Sequence, residues 1–161
     1  MLATSGTFGA LALRPRTALE TSIDSLARTL ARGRELARDS GSPQRLDYVF
    51  ADVDGGPAWH VAGDESESAG PQEGVQLQSL ARDGKPVRRG RHAISIAADG
   101  TLEPHEVVLL QREVGWDQRT TLTISADGSI ARSSWRRRRD GAHKDEEPSG
   151  ALPQTAPLDS D

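Results

Sequence analysis

The stretch Ala18-Leu-Glu-Thr-Ser-Ile-Asp-Ser-Leu-Ala-Arg-Thr-Leu-Ala-Arg-Gly-Arg-Glu-Leu-Ala-Arg-Asp-Ser-Gly41 decides the fold. Within it Leu19, Ile23, Leu26, Ala27, Leu30 and Ala37 recur at spacings of three and four, which draws one apolar stripe along an α-helix. The segment opens at Arg14, and Pro15 suits a first turn, where a missing N–H costs nothing. Glu20 and Asp24 lie early, Arg34 and Arg38 late, as the helix dipole favours. Asp24 and Arg28 stand four apart, an arrangement that contributes only a few tenths of a kcal/mol. Gly33 weakens the middle by about 1 kcal/mol relative to alanine. Gly41 and then Pro43 stop the helix. Spanning Thr17 to Ser40, it would be about 36 Å long.

A single stripe has to be covered, and the residues that follow read as strands. Leu46, Tyr48 and Phe50 alternate with Asp47 and Val49, and Trp59 and Val61 flank His60. Val75 and Leu77, continuing to Ser79, alternate with glutamines, and Ile94 and Ile96 with serine and alanine. Glu106 to Gln111 is a short continuous apolar run, which predicts a strand covered on both faces. Leu122 and Ile124 alternate with threonine and serine, and a last strand starts at Ile130 and ends near Trp135. Turns fall at Asp54-Gly55-Gly56-Pro57, Asp83-Gly84, Asp99-Gly100 and Asp127-Gly128. Ile94-Ser-Ile-Ala-Ala-Asp-Gly-Thr-Leu102 is echoed by Leu122-Thr-Ile-Ser-Ala-Asp-Gly-Ser-Ile130. Nine residues make a shared hairpin solution rather than a repeat architecture. The fold class expected is α+β: one long N-terminal helix packed on antiparallel β-sheet, then a disordered tail.

The totals fit one domain. At 161 residues the chain is long enough to bury a real core. Only 35% of residues are hydrophobic and 4% aromatic, so the apolar residues must be concentrated in a few elements. The organisation expected is a short remnant or helix extension at 1–16, an α+β domain at 17–135 and a charged tail at 136–161. The tail begins with Arg136 to Arg139 and continues in charged residues, proline, glycine and serine. Such a composition buries too little surface to offset its ordering entropy. Gly63 to Gly74, acidic and rich in serine and glycine, reads as a long loop.

A net charge of −4 gives no basic excess of the kind that marks nucleic-acid binding. Arginine outnumbers lysine 18 to 2, a pattern we ascribe to GC-rich coding rather than to chemistry. The absence of cysteine removes disulfides, thiolate nucleophiles and cysteine-bound zinc. No run of about 20 apolar residues is present, so the chain as given is expected to be soluble.

Sites of chemistry are sparse. His60, His92, His105 and His143 have no metal-binding spacing and read as surface or loop histidines. Asp52-Val53-Asp54-Gly55 starts like a calcium loop, but position twelve is Gly63, where a glutamate is required, so the motif reads as a turn. There is no GxSxG nucleophile elbow, and the long helix precedes the glycine-rich turns, so none of them cradles phosphate at its start. Glu65 and Glu67 fall in a solvated loop that would not raise a carboxyl pKa. The Arg136–Arg139 run offers acidic phospholipid or nucleic acid about 1 kcal/mol per basic residue. Asp140, Asp145, Glu146 and Glu147 blunt that field, and the plainer reading is a solvated end to the last strand. No catalytic, metal or cofactor site is expected. The helix stripe, Leu19, Ile23, Leu26, Ala27, Leu30 and Ala37, covers the sheet, and its first turns are also candidates for packing against other helices.

A long first helix followed only by short antiparallel strands resembles the type IV pilin-like class, and within it the minor pseudopilins of the GspH and FimT type. The resembling stretch runs from about Ala18 to Ile130. Ala18 to Gly41 is similar to the family's lower helix, in which small, leucine and arginine residues end in a glycine before the first strand. The two echoed Asp-Gly segments, Ile94–Gly100 and Leu122–Ile130, resemble the family's late strand–turn units. The prepilin mark of glycine, aromatic residue and apolar helix with an early glutamate is not present. Gly6, Thr7 and Phe8 are its nearest counterpart, and Glu20 is the first acidic residue. The resemblance implies a non-catalytic structural subunit of a type II secretion pseudopilus or pilus-like assembly, in the inner membrane and periplasm of a bacterial cell envelope. It implies other pilin-like subunits and secretion machinery as partners, no cofactor, and membrane insertion only if an apolar segment lies upstream. Two other readings stand beside it. One is a soluble β-rich protein-binding module, with the helix completing its own core. The other is a hydrolase, which would place two histidines and a carboxylate in one cleft.

Overall fold

The computed structural model describes residues 17–53, 57–64, 66 and 70–139. The expected N-terminal remnant, His143, Glu65 and Glu67, and the tail from Asp140 onward lie outside them. Helix α1 runs Ala18–Ser40 and starts at a capping box that the apolar pattern alone does not show. Glu20 N–H donates to Thr17 Oγ1 at 3.2 Å, and Thr17 N–H donates to Glu20 Oε2 at 3.1 Å. Thr17 is therefore the cap, and Pro15 precedes the helix rather than occupying its first turn. Gly41, left-handed, ends it as its position suggested.

Among the described residues eight strands follow: β1 (Gln44–Val49), β2 (Trp59–Val61), β3 (Val75–Arg82), β4 (Lys85–Val87), β5 (Arg91–Ile96), β6 (His105–Glu113), β7 (Trp116–Ile124) and β8 (Ile130–Arg138). They form two antiparallel sheets, one ordered β2-β1-β5 and the other β4-β3-β6-β7-β8. The fold is α+β, with α1 in contact with strands of both sheets. A continuous core joins Leu19, Leu26 and Leu30 of the helix to Leu46, Trp59 and Ile94 of the first sheet and to Leu80, Val107 and Leu122 of the second.

Several boundaries differ from the sequence expectation. β4 is an additional three-residue strand; it contains Pro86, which an edge strand tolerates because nothing there asks for its N–H. In β3 a bulge between Leu77 and Ser79 breaks the alternation, so Leu80 rather than Ser79 turns into the core. In β6, Val107 and Leu109 face the core, whereas on the outer face Glu106 is exposed, Val108 half-buried and only Leu110 buried. β8 continues through Arg138, and Arg139 N–H bonds to Gly115 O, so Arg136–Arg139 belong to the sheet rather than to a tail.

The helix face is the main correction. Leu19, Leu26, Leu30 and Ala37 are buried, but Ile23 and Ala27 are only half-buried. The other side of the true contact is a small-residue row, Ser22, Ser25, Thr29 and Gly33, all buried. Relative to the stripe expected from apolar residues, the buried face is rotated about 50° around the axis. Each hydroxyl finds a partner: Ser22 Oγ donates to Ala18 O (2.7 Å), Thr29 Oγ1 to Ser25 O (3.1 Å), and Ser25 Oγ accepts from Trp59 Nε1 (3.3 Å). A Cβ on Gly33 would stand 2.6 Å from Ile96 Cδ1 and 3.1 Å from Val61 Cγ2, so glycine lets the helix meet the first sheet closely.

Truncation of the true contact should be costly and truncation of the half-buried flank mild. Leu26→Ala is expected to lose about 2–5 kcal/mol and Ile23→Ala less than about 1.5 kcal/mol in urea unfolding. Gly33→Val should lose about 1–3 kcal/mol by overpacking, despite valine's better helix propensity. Equal losses at positions 23 and 26, or a stabilising Gly33→Val, would place the helix face elsewhere.

Candidate functional site

The predicted packing face lies inside the domain, where four of its six residues belong to the core. The outward side of α1 carries Glu20, Arg28, Ala31, Glu35 and Asp39, all exposed. The stripe is therefore used within this chain.

The histidines occupy three separate environments. His105, expected at the surface, is 4% exposed. Its Nδ1 lies 2.7 Å from Glu103 O, which can only accept, so Nδ1 carries the proton. Nε2 then accepts from the Tyr48 hydroxyl at 2.9 Å. This pair ties β1 of one sheet to β6 of the other. Burial lowers the His105 pKa, opposed by the Glu103 carbonyl bond, and burial pushes the Tyr48 phenol up. His92 packs edge-on to Phe50 and donates from Nε2 to Arg89 O at 2.6 Å.

His60 faces outward on β2, opposite Asp47 in register. Asp47 is 1% exposed, an unexpected burial for a residue read as the polar alternate of β1. Arg45 holds it, with Nη2 donating to Oδ2 at 3.2 Å and Nε 3.0 Å from Oδ1, and His60 Nε2 stands 3.7 Å from Oδ2. One histidine, one carboxylate and one guanidinium thus meet on the outer face of the small sheet. His92 and His105 do not join them. A depression of about 380 Å³ is lined by Phe50, Val53, Pro57, Pro71, Val75 and Leu77 among others, with no titratable group. Among the described residues no group of three or more histidine, aspartate or glutamate side chains is placed to hold a metal ion.

The echoed Asp-Gly segments fold alike and meet the helix. Ala97 N–H bonds to Thr101 O and Ser125 N–H to Ser129 O; Asp99 and Asp127 each accept from the backbone N–H two residues on. Those bonds, with the Thr101 and Ser129 hydroxyls, hold both carboxyls below the usual aspartate range. Arg34 Nε donates to Gly100 O at 2.8 Å, while its guanidinium lies where a Cβ of Gly128 would be. Arg38 Nε donates to Asp99 O at 3.0 Å. Gly100 and Gly128 both have φ near +80°, so the two turns, one from each sheet, need glycine for backbone as well as space.

In the second sheet β6, β7 and β8 form a continuous antiparallel ribbon. Its β6–β7 turn, Val114-Gly115, lacks the Asp-Gly signature of the other turns. Val114 is 99% exposed, Trp116 44% and Trp135 46%; Arg119 lies over the Trp135 ring at 5.0 Å. Among the described residues these are the exposed large hydrophobic side chains. Comparison with protein-family models, with curated proteins and with solved structures finds no match. No helix among the described residues is long and apolar enough to cross a membrane.

The His105 environment has a pH signature. A histidine whose folded pKa is lowered contributes full stability above its unfolded value, about 6.5, and loses it as pH falls to the folded value. Asp64, Asp99 and Asp127, also lowered, act in a separate window below about pH 4. Unfolding free energy should therefore decline as pH drops below about 6.5, and His105→Gln should flatten that decline while lowering stability at pH 8. An unchanged pH slope in the variant would contradict a neutral, buried His105.

Proposed function

We propose that this chain is the folded part of a minor pseudopilin, a non-catalytic structural subunit of a type II secretion pseudopilus or a pilus-like assembly in a bacterial cell envelope. The observation that carries the reading is the order and packing of elements. One 23-residue helix comes first, everything after it is antiparallel strand, and the helix lies against both sheets. In such a subunit the helix anchors the domain and the strands form the outward body that meets neighbouring subunits or cargo. With the leucine face already used, those contacts fall to the polar side of α1, to the sheet rims and to residues ahead of Thr17.

A second reading, a β-rich protein-binding module, is favoured by one specific observation: Leu26 and Leu30 are buried within the same chain, so the helix completes its own core. The two part at the N-terminus of the native protein. The pseudopilin reading expects about 20 apolar residues ahead of the present Met1, led by glycine and with a glutamate near the start. Protein isolated from its source should then sediment with membranes, carry that segment by mass spectrometry and cross-link to pilin-like subunits. A native chain that begins at Met1 and stays in the aqueous fraction would favour the binding module.

A further inference from the structure

We propose that the distal end of the β6–β7–β8 ribbon is a binding site for an anionic phospholipid surface. The inference is independent of the pseudopilin reading. The three exposed bulky apolar side chains of the described residues all lie on this ribbon. Val114 stands at its apex, and Trp116 follows the turn and pairs in register with Arg138 on β8. Trp135, on the opposite face, pairs with Arg119. Residues 110–119 and 134–139 hold six arginines (Arg112, Arg119 and Arg136 to Arg139) and two acidic residues (Glu113, Asp117), a balance of +4 in a chain whose total is −4.

The local ion pairs leave much of that charge unspent. Arg136 lies 3.6 Å from Glu113 and Arg139 3.1 Å from Asp117. Arg112, Arg137 and Arg138 are exposed and have no acidic partner among the described residues. Indole rings favour the boundary between hydrocarbon and headgroup, and arginine places its stem along apolar surface while its guanidinium meets phosphate. A fully exposed aliphatic apex selects lipid over nucleic acid, because valine gives a base no ring to stack on, whereas hydrocarbon accepts it. Residues 140–161 carry six side-chain carboxylates and one lysine, a charge opposite in sign to that of the ribbon end.

The test is titration of the full chain with unilamellar vesicles at low salt, followed by sedimentation and by tryptophan emission. Vesicles with about 30% phosphatidylglycerol should bind, pure phosphatidylcholine should bind at least about thirty-fold more weakly, and rising salt should release the protein. In a Trp135→Phe background the emission should shift to the blue as Trp116 enters the interface, since Trp59 is already buried. Arg137→Gln with Arg138→Gln should weaken binding about thirty-fold, some fivefold per charge, and Val114→Asp about tenfold, with circular dichroism unchanged. Equal binding to neutral vesicles, no binding, or variants that bind like the parent would overturn the proposal. So would release by millimolar inorganic phosphate, or tighter binding to a single-stranded oligonucleotide than to the vesicles.

Discussion

The close approach of a small-residue row to a β-sheet sets the geometry of this molecule. Ser25, Thr29, Gly33 and Ala37 repeat every fourth residue and are all buried. Four is the spacing of one ridge on a helix surface, so the row is a shallow groove along α1. Val61 and Ile96 sit in it beside Gly33, and Trp59 reaches Ser25. The leucine row at 19, 26 and 30 lies alongside. Large side chains fill the core while small ones set the distance, which is why the helix packs closely and hydroxyl groups can be buried without loss. Each hydroxyl is satisfied by a helix carbonyl, by the Gln72 amide or by the Trp59 indole, so none is left as an unpaired buried group.

Once the helix is fixed, the two sheets are held by a few polar ties. Arg34 and Arg38 lie over the paired Ala-Asp-Gly turns, and Leu102 N–H bonds to Ala126 O from one turn region to the other. Close to that bond, where His105 pairs in register with Ile124, Tyr48 and His105 bond across the core. Buried hydrogen bonds of this kind add modestly to stability but strongly penalise any other register, because a shift would leave a phenol or an imidazole unpaired. The hydrophobic core is continuous across both sheets, and these ties specify how the sheets meet.

How much of this was legible in the sequence follows from what each pattern depends on. The helix, its glycine stop and seven of the eight strands were readable because periodicity and Asp-Gly turns are local signals. The helix face was read in part: Leu19, Leu26, Leu30 and Ala37 are core and Ile23 packs against it, but serine, threonine and glycine count as polar or weak in an apolar pattern, so the side formed by Ser22, Ser25, Thr29 and Gly33 was missed. Thr17-x-x-Glu20 was an available capping signal that outranked Pro15. His105 was read as exposed because its burial depends on Tyr48, 57 residues away, which no local spacing reveals, and Asp47 was read as the polar alternate of its strand although Arg45, two residues off, and His60 across the sheet flank it. The extent of β6 and β7 escaped because their turn, Val114-Gly115, carries no acidic or asparagine residue. The ribbon end, with its exposed tryptophans, was invisible for the same reason.

That ribbon ends in an open edge, and the arginines on it solve a problem that any such edge poses. The bonds Arg139 N–H to Gly115 O and Ser125 N–H to Ser129 O fix the phase of the β7–β8 ladder. Odd-numbered residues of β8 therefore bond toward β7, and the backbone groups of Ile130, Arg132, Ser134, Arg136 and Arg138 point to the open side. A nine-residue edge strand with unpaired groups is a template for a second copy. Antiparallel pairing of two such strands about Ser134 would set Arg132 opposite Arg136 twice over, and like charges directly opposite destabilise a strand pair. The edge is thus closed to its own kind by charge rather than by a covering element. Of the arginines on that edge, Arg136 and Arg138 also belong to the ribbon end, so the defence against self-pairing and the proposed affinity for an anionic surface share part of their charge.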